Sequence, residues 1–347
     1  MRVKQILARI LYKCIKYFKF DAPFSRLKEG DYDAILIGSI EYMNYGDHAI
    51  NIAEYDFFSR KGIKFIEIPE SYVPEFINKY YFLVKQETTI YLNGGGNMGD
   101  VWVEQEKIRQ AIFKNLPRNK IIVFPQSTNY VSDSSELLLE TTRLASSVGD
   151  LTIMLRDKKS YDFVKRNFPN NVQTFLVPDM VLTLNEHKDS ENKNIDVITY
   201  IRRDVEKLED DNKKEYLNWL YSQKNISVQL DDTVRDSWTY ISKNNRRKFL
   251  DKKLSTTARA RLVVTDRLHG MIFAYVTGTP AIVFDNNNHK IKNLYDTWLK
   301  DIPYIYMADS DVNEILAQTN RYLKSNITFY PNEKYFIRRI DDVFKQD

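Results

Sequence analysis

From residue 33 onward, short apolar runs alternate with longer amphipathic stretches along the chain. The runs at 34–38, 65–68, 89–92, 120–124, 151–155 and 174–177 predict buried strands. Between them, residues 49–60, 104–114, 134–147 and 160–167 have helix length and helix-like spacing of apolar positions. Strands alternating with helices over this distance predict an α/β fold, with a mostly parallel sheet covered on both faces. Residues 186–194 are polar and aperiodic, as an interdomain linker is, and the alternation restarts at 196–201, 226–230, 262–265 and 281–284. The expected organisation is a basic N-terminal segment (1–32), a first domain (33–185), the linker (186–194), a second domain (195–330) and a C-terminal helix (331–347) packing back on the first domain. Two such domains predict a cleft between two sets of strand ends, where large polar ligands bind.

The first twenty residues carry Arg2, Lys4, Arg9, Lys13, Lys16 and Lys19 and no acid, while Ile6, Leu7, Ile10, Leu11, Cys14, Ile15 and Phe18 share one helical face. The stretch is too interrupted for a signal peptide or a spanning helix. It predicts either a face docked on the protein or peripheral contact of residues 2–20 with an anionic membrane. The formal charge of +4, with 43% hydrophobic and 28% charged residues, fits a soluble globular protein and gives no sign of a nucleic-acid partner. Cys14 is the only cysteine, so neither an intrachain disulfide nor a cysteine zinc cluster can form, and a reducing cytoplasm fits. The four histidines lack HExxH-type spacing, so no metal or cofactor is expected. The charged run 202–214 and the basic run 243–253 read as solvated helix faces.

Candidate chemistry gathers just after the predicted strands. In Thr265-Asp266-Arg267-Leu268-His269-Gly270, a strand gives way to a short helix closed by Gly278 and Pro280. Strand-to-helix turns lie at the carboxyl ends of strands, and free N–H groups at a helix start favour an anion. Arg267 adds a planar cation and His269 a group that exchanges a proton near neutral pH. In the first domain, Asn44 to Ile50 places Asp47 near a helix start, where it either caps or acts chemically. Four of the eleven glycines fall in the loop Asn93-Gly94-Gly95-Gly96-Asn97-Met98-Gly99-Asp100, where backbone can approach a ligand closely. Pro125-Gln126-Ser127-Thr128 follows the next strand, and Arg156 follows the one after, available either to grip an acid or to pair with Asp157 or Asp179. Lys290, after the 281–284 strand, offers a further cation. Arg156, Arg267, Lys290 and His269 suit an anionic ligand and the Gly- and Asn-rich loops a neutral polar one, which supports group transfer from a phosphorylated or carboxylated donor to a hydroxyl-bearing acceptor.

Five motifs in order, Asn44–Ile50, Gly94–Asp100, Phe124–Ser127, Arg156–Tyr161 and Thr265–Gly270, resemble those of the polysaccharide pyruvyl transferase family. Residues 285–298 are similar to its closing motif, with Lys290 kept and Asn288 and His289 standing where that motif has an aromatic residue and a glycine. The resemblance implies two Rossmann-like domains facing each other across a cleft in the glycosyltransferase-B manner, phosphoenolpyruvate as donor, and a saccharide acceptor that can be lipid-linked. Pyruvate would be installed as a cyclic ketal with release of phosphate. It also implies that Arg156 and Arg267 hold the donor, with Lys290, Asp266 and Gly270 around it, that His269 is the general acid, and that Asp47 is the base. Asn44, Gly95, Gly96, Asn97, Asp100 and Gln126 would bind the acceptor or brace its loop. Two rivals remain on the same residues: a nucleotide-sugar-dependent glycosyltransferase, and a non-catalytic carbohydrate-binding protein.

Overall fold

The computed structural model describes residues 22–187, 193–202, 208–234, 240–325 and 329–345. The basic segment 2–20 and the middle of the expected linker, 188–192, lie outside them. The chain divides into two compact units, Met1–Met180 with Asp236–Arg246, and Val181–Arg235 with Arg247–Asp347. The division therefore falls ahead of the polar stretch at 186–194, and a short segment late in the sequence belongs to the first unit.

In the first unit, α1 (Ala22–Glu29), β1 (Ala34–Ser39), α2 (Tyr45–Lys61), β2 (Phe65–Pro69), α3 (Val73–Lys79), β3 (Thr89–Leu92) and β4 (Gly95–Gly99) are followed by α4 (Val103–Asn115), β5 (Lys120–Asn129), α5 (Glu136–Ala145), β6 (Asp150–Leu155), α6 (Lys158–Asn167) and β7 (Val172–Leu176). The sheet is parallel, in the order β2-β1-β3-β5-β6-β7, with β4 paired to β5. Alternate strand residues such as Ile35, Ile37, Ile90, Ile121 and Ile153 pack with Phe76, Phe113, Leu138 and Val164 of the helices. The intervening residues Tyr91 and Phe124 meet Phe57 and Phe58 of α2 on the other side. Both faces are thus buried, which is why the strands read as continuous apolar runs.

The second unit contains β8 (Ile195–Tyr200), α7 (Asp211–Ser222), β9 (Val228–Asp231), most of α8 (Lys243–Ala258), β10 (Ala260–Thr265), α9 (Leu268–Thr277), β11 (Ala281–Val283), α10 (Lys290–Leu294), β12 (Ile305–Met307), α11 (Val312–Lys324) and α12 (Glu333–Asp341). Its sheet is also parallel, in the order β12-β11-β10-β8-β9. The C-terminal helix α12, expected to pack back on the first domain, docks within the second unit: Phe336 lies edge-on to Tyr275 and Trp298. Among the described residues, no helix is long and apolar enough to cross a membrane.

Three local expectations change. The glycine-rich stretch is a strand, not a loop, because its backbone pairs with β5 at Gly95–Gln126 and Gly99–Asn129. Gly99 has φ 131°, and a Cβ there would collide with the Asn129 carbonyl, so only glycine allows this approach. Residues 125–128 likewise continue β5, with a register shift between Val123 and Gln126 that accommodates Pro125. Finally, the charged runs are not simply solvated: Arg246, Lys253, Lys213 and Arg202 are buried, the first three against Glu67, Asp231 and Asp266 respectively.

Candidate active site

Each sheet reverses direction of growth at one point, between β1 and β3 in the first unit and between β8 and β10 in the second. Ligands of open α/β sheets bind outside the carboxyl ends of the strands at such switch points. Asn44 and Asp47 follow β1, Gly95 to Asp100 follow β3 and Asp266 to Gly270 follow β10, at these two points, whereas Gln126, Arg156 and Lys290 belong to β5 or to the ends of β6 and β11.

In the second unit, β10 ends in Thr265 and α9 begins at Leu268, placing Asp266 and Arg267 in the turn. Asp266 is fully buried, and its carboxylate accepts from the Arg202 backbone N–H at 2.7 Å and from Lys213 Nζ at 3.0 Å. Burial pushes this carboxyl up, against the charge of Lys213. Asp266 therefore braces the turn, tying it to Lys213 and to the backbone at Arg202. Arg267 presents its fork to Asp232, just after β9, with Nε and Nη2 each donating at 2.8 Å, and its backbone N–H donates to Thr265 Oγ1 at 2.9 Å. This fixes the plane of the guanidinium. His269, half-buried in the first turn of α9, stands 6.2 Å from the Phe273 ring.

Gly270 explains how α9 sits so close. A Cβ there would overlap Thr265 Oγ1 and lie 3.3 Å from Tyr200 Cβ. Gly270→Ala should destabilise the protein by about 1–3 kcal/mol, through overpacking against β8 and β10. Thermal unfolding measures this, and an unchanged melting temperature would refute the close-packing account. On the neighbouring strand end, Lys290 opens α10 behind His289, whose φ of 58° is the left-handed conformation a glycine would take there. His289 Nδ1 contacts Asp285 Oδ2 at 2.5 Å.

In the first unit, Asn44 caps α2, its Oδ1 accepting from Gly46 and Asp47 N–H groups at 3.0 and 3.4 Å. Asp47 is therefore not the cap. It is half-buried and accepts from Asn44 Nδ2 at 2.7 Å and the Tyr42 hydroxyl at 3.0 Å. Of the roles open to Arg156, the structure has the ion pair: the buried guanidinium donates to Asp179 at 2.7 Å and to Ser127 Oγ at 2.8 Å. Gln126 is fully buried, accepting from the Asn97 N–H at 3.3 Å and donating to the Asn93 carbonyl at 2.8 Å. Asp100 accepts from the Val131 N–H at 2.7 Å. Gly95 and Gly96 belong to β4.

Several residues absent from the sequence reading complete this region. Glu54 is fully buried on α2, accepting from the Gly94 N–H at 2.8 Å and Asn51 Nδ2 at 3.0 Å, and burial raises its carboxyl to about 8. Glu106 and Arg109 form a buried ion pair on α4, and Arg109 Nη2 donates to Asn97 Oδ1 at 3.1 Å. Gln105 Nε2 donates to Glu70 Oε1 at 2.8 Å. Only the i, i+3 spacing of Glu106 and Arg109 is a local signal; the contacts of Glu54 with Gly94, Arg109 with Asn97 and Gln105 with Glu70 each need a partner brought by another element.

A family model described as polysaccharide pyruvyl transferase matches residues 44–288. General stress protein 30 of Bacillus subtilis is 32% identical over 296 residues, covering 84% of this chain and 85% of that protein. Pyruvyl transferase 1 of Schizosaccharomyces pombe is 27% identical over 280 residues, covering 76% of this chain and 69% of its own. Among solved structures, UDP-GlcNAc 2-epimerase from Methanocaldococcus jannaschii shares the fold with a TM-score of 0.50 at 10% identity, over 90% of this chain and 100% of that one.

Proposed function

This chain belongs to the polysaccharide pyruvyl transferase family, and from that premise we propose that it transfers pyruvate from phosphoenolpyruvate to a saccharide, closing a cyclic ketal over two hydroxyls and releasing inorganic phosphate. The observation that carries the reading is the turn after β10. Inside the matched range, it presents an oriented guanidinium and an imidazole at a helix start beside a strand end.

The reaction asks for three things. The enol C3 takes a proton, which makes C2 an oxocarbenium-like centre; one hydroxyl oxygen then bonds to C2, and the second hydroxyl replaces the phosphate. Of the two hydroxyl protons, one balances the proton gained at C3 and the other leaves with phosphate. Arg267 holds the donor's negative charge, aided by Lys290 and by the N–H groups opening α9. His269 delivers the proton. Asp47, positioned by Asn44 and Tyr42, orients an acceptor hydroxyl. Arg156, engaged by Asp179 and Ser127, supports the strand ends of the first unit and is not a donor ligand in this reading.

The test is phosphate release from phosphoenolpyruvate with a panel of free and lipid-linked saccharides, read together with the acceptor's mass. Saccharide-dependent phosphate release with a matching pyruvyl ketal is expected. Nucleoside diphosphate release from a nucleotide sugar, with no turnover of phosphoenolpyruvate, would overturn the reading in favour of a glycosyltransferase.

A further inference from the structure

Strand β9 lies at the edge of the second sheet, beside β8, and ends in Asp231. The consecutive acids Asp231 and Asp232 divide between them two cations brought by other elements. Lys253 of α8, which is buried, donates from Nζ to Asp231 Oδ2 at 2.5 Å and to the Asp232 carbonyl at 2.9 Å. Arg267, from the turn after β10, reaches across the end of β8 and gives Nε–H and Nη2–H to the two oxygens of the Asp232 carboxylate, each at 2.8 Å. That carboxylate is itself tied to the main chain, its Oδ1 accepting from the Thr233 and Val234 N–H groups at 2.7 and 3.4 Å. A fixed line runs from backbone through Asp232 to the guanidinium.

This pairing works against simple attraction of an anion. Asp232 offsets the charge of Arg267, and among the described residues no other cation pairs with Asp232. A bare guanidinium would draw a phosphorylated donor more strongly, in any orientation that brought the charges together. Attraction of that kind acts alike on substrate and transition state, so it does not speed the bound complex. A two-point grip on a carboxylate does something else: it sets the position and plane of the fork before the donor arrives.

We infer that Asp232 is a positioning residue for Arg267, which weakens the guanidinium's attraction for the donor in the ground state and aims it at the charge that develops in the transition state. The inference rests on the pyruvyl-transfer reading for the identity of the donor. Asp232 lies in none of the motifs that resemble the family, and the geometry that singles it out exists only once β9 and β10 are laid on either side of β8.

The test pairs anion binding with turnover, on the full chain. Inorganic phosphate is titrated by calorimetry into the wild type, Asp232→Asn and Asp232→Glu, and kcat and KM for phosphoenolpyruvate are measured with a saccharide that the wild type accepts. Asp232→Asn keeps the size and one acceptor but loses the charge and the second acceptor. It should bind phosphate roughly three- to tenfold more tightly and lower KM, while kcat falls roughly tenfold or more. Asp232→Glu keeps the charge but moves the carboxylate by a methylene, so its phosphate affinity should stay near that of the wild type while kcat falls. An unchanged kcat in Asp232→Asn, or phosphate binding that weakens in step with kcat, would overturn the inference. Should Asp232→Asn melt below the assay temperature, Asp232→Glu decides alone, and an unchanged kcat or weakened phosphate binding in that variant counts against it. If the phosphate affinities change as described but the wild type releases no phosphate from phosphoenolpyruvate with any saccharide, the effect of Asp232 on anion binding stands and the pyruvyl-transfer reading falls.

Discussion

Replacing Arg246 by alanine should cost about 3–5 kcal/mol of stability, the range expected when one member of a buried charged network is removed. Arg246 is 1% exposed. Its Nε donates to His48 Nδ1 at 3.1 Å, Nη1 to Glu67 at 2.9 Å and to the Tyr55 hydroxyl, and Nη2 to the Ile40 carbonyl at 2.8 Å. Because His48 Nδ1 accepts, the ring is neutral and its Nε2–H donates to the Tyr42 carbonyl at 2.8 Å. Burial and the charge of Arg246 hold the His48 pKa down at about 3. Burial is the largest influence on the Glu67 carboxyl and pushes it up, but Arg246, first among its partners, together with Ser39, Tyr55 and Lys243 brings the group below its ordinary value. Alanine would leave Glu67 charged, desolvated and without its main counter-ion.

The pH dependence separates this account from a simple loss of packing. Without Arg246, the Glu67 carboxyl rises above its unfolded value, so the variant's stability falls as pH climbs past the ordinary carboxylate range. Relief of the repulsion on His48 also lets that ring protonate more readily in acid. The difference between wild type and Arg246→Ala should therefore shrink towards pH 4 and widen towards pH 7. Denaturant melts at both values test this. A constant difference would mean that volume, not charge, is what alanine removes. Glu67→Gln in the Arg246→Ala background should recover part of the loss at pH 7, because it removes the stranded charge.

Arg246 also marks where the sequence stops being readable. Both parallel sheets follow from apolar runs of strand length, since burial on two faces writes itself into consecutive positions such as Ile35, Leu36 and Ile37. The turn holding Arg267 and His269 is legible for the same reason, because β10 and α9 bracket it. Strand β4 is not legible, since glycines have no side chains to alternate, and its pairing is all backbone. Arg246, Lys213 and Lys253 read as solvated because their acids, Glu67, Asp266 and Asp231, are remote in sequence or hidden until the sheets form. Glu70 and Gln105 escape notice likewise: they are 35 residues apart and belong to no motif. Conversely, Asp266, Gln126 and Arg156, named from motifs, each hold buried partners within the protein, Lys213, the Asn93 carbonyl and Asp179, which no motif spells out.

His269→Ala should lower kcat/KM for pyruvyl transfer by roughly 10²–10⁴, the usual worth of a positioned general acid. At the turn after β10, the neighbours of His269 are unsuited to that role. Asp266 is buried beneath Lys213 and the Arg202 N–H, and Arg267 stays protonated throughout the working range. The imidazole is the one group there that both carries a proton near neutrality and releases it readily. In the wild type, kcat/KM should fall as pH rises through the imidazole range, because the acid form is the one required. That limb should vanish in His269→Ala, leaving a flat residual rate sustained by Arg267 and the α9 N-terminus. Folding should be little affected, since the ring is half-buried and α9 is held mainly by Met271 to Val276. A variant that keeps both its rate and its alkaline limb would move the proton donor elsewhere. Asp47 would then be the next residue to replace.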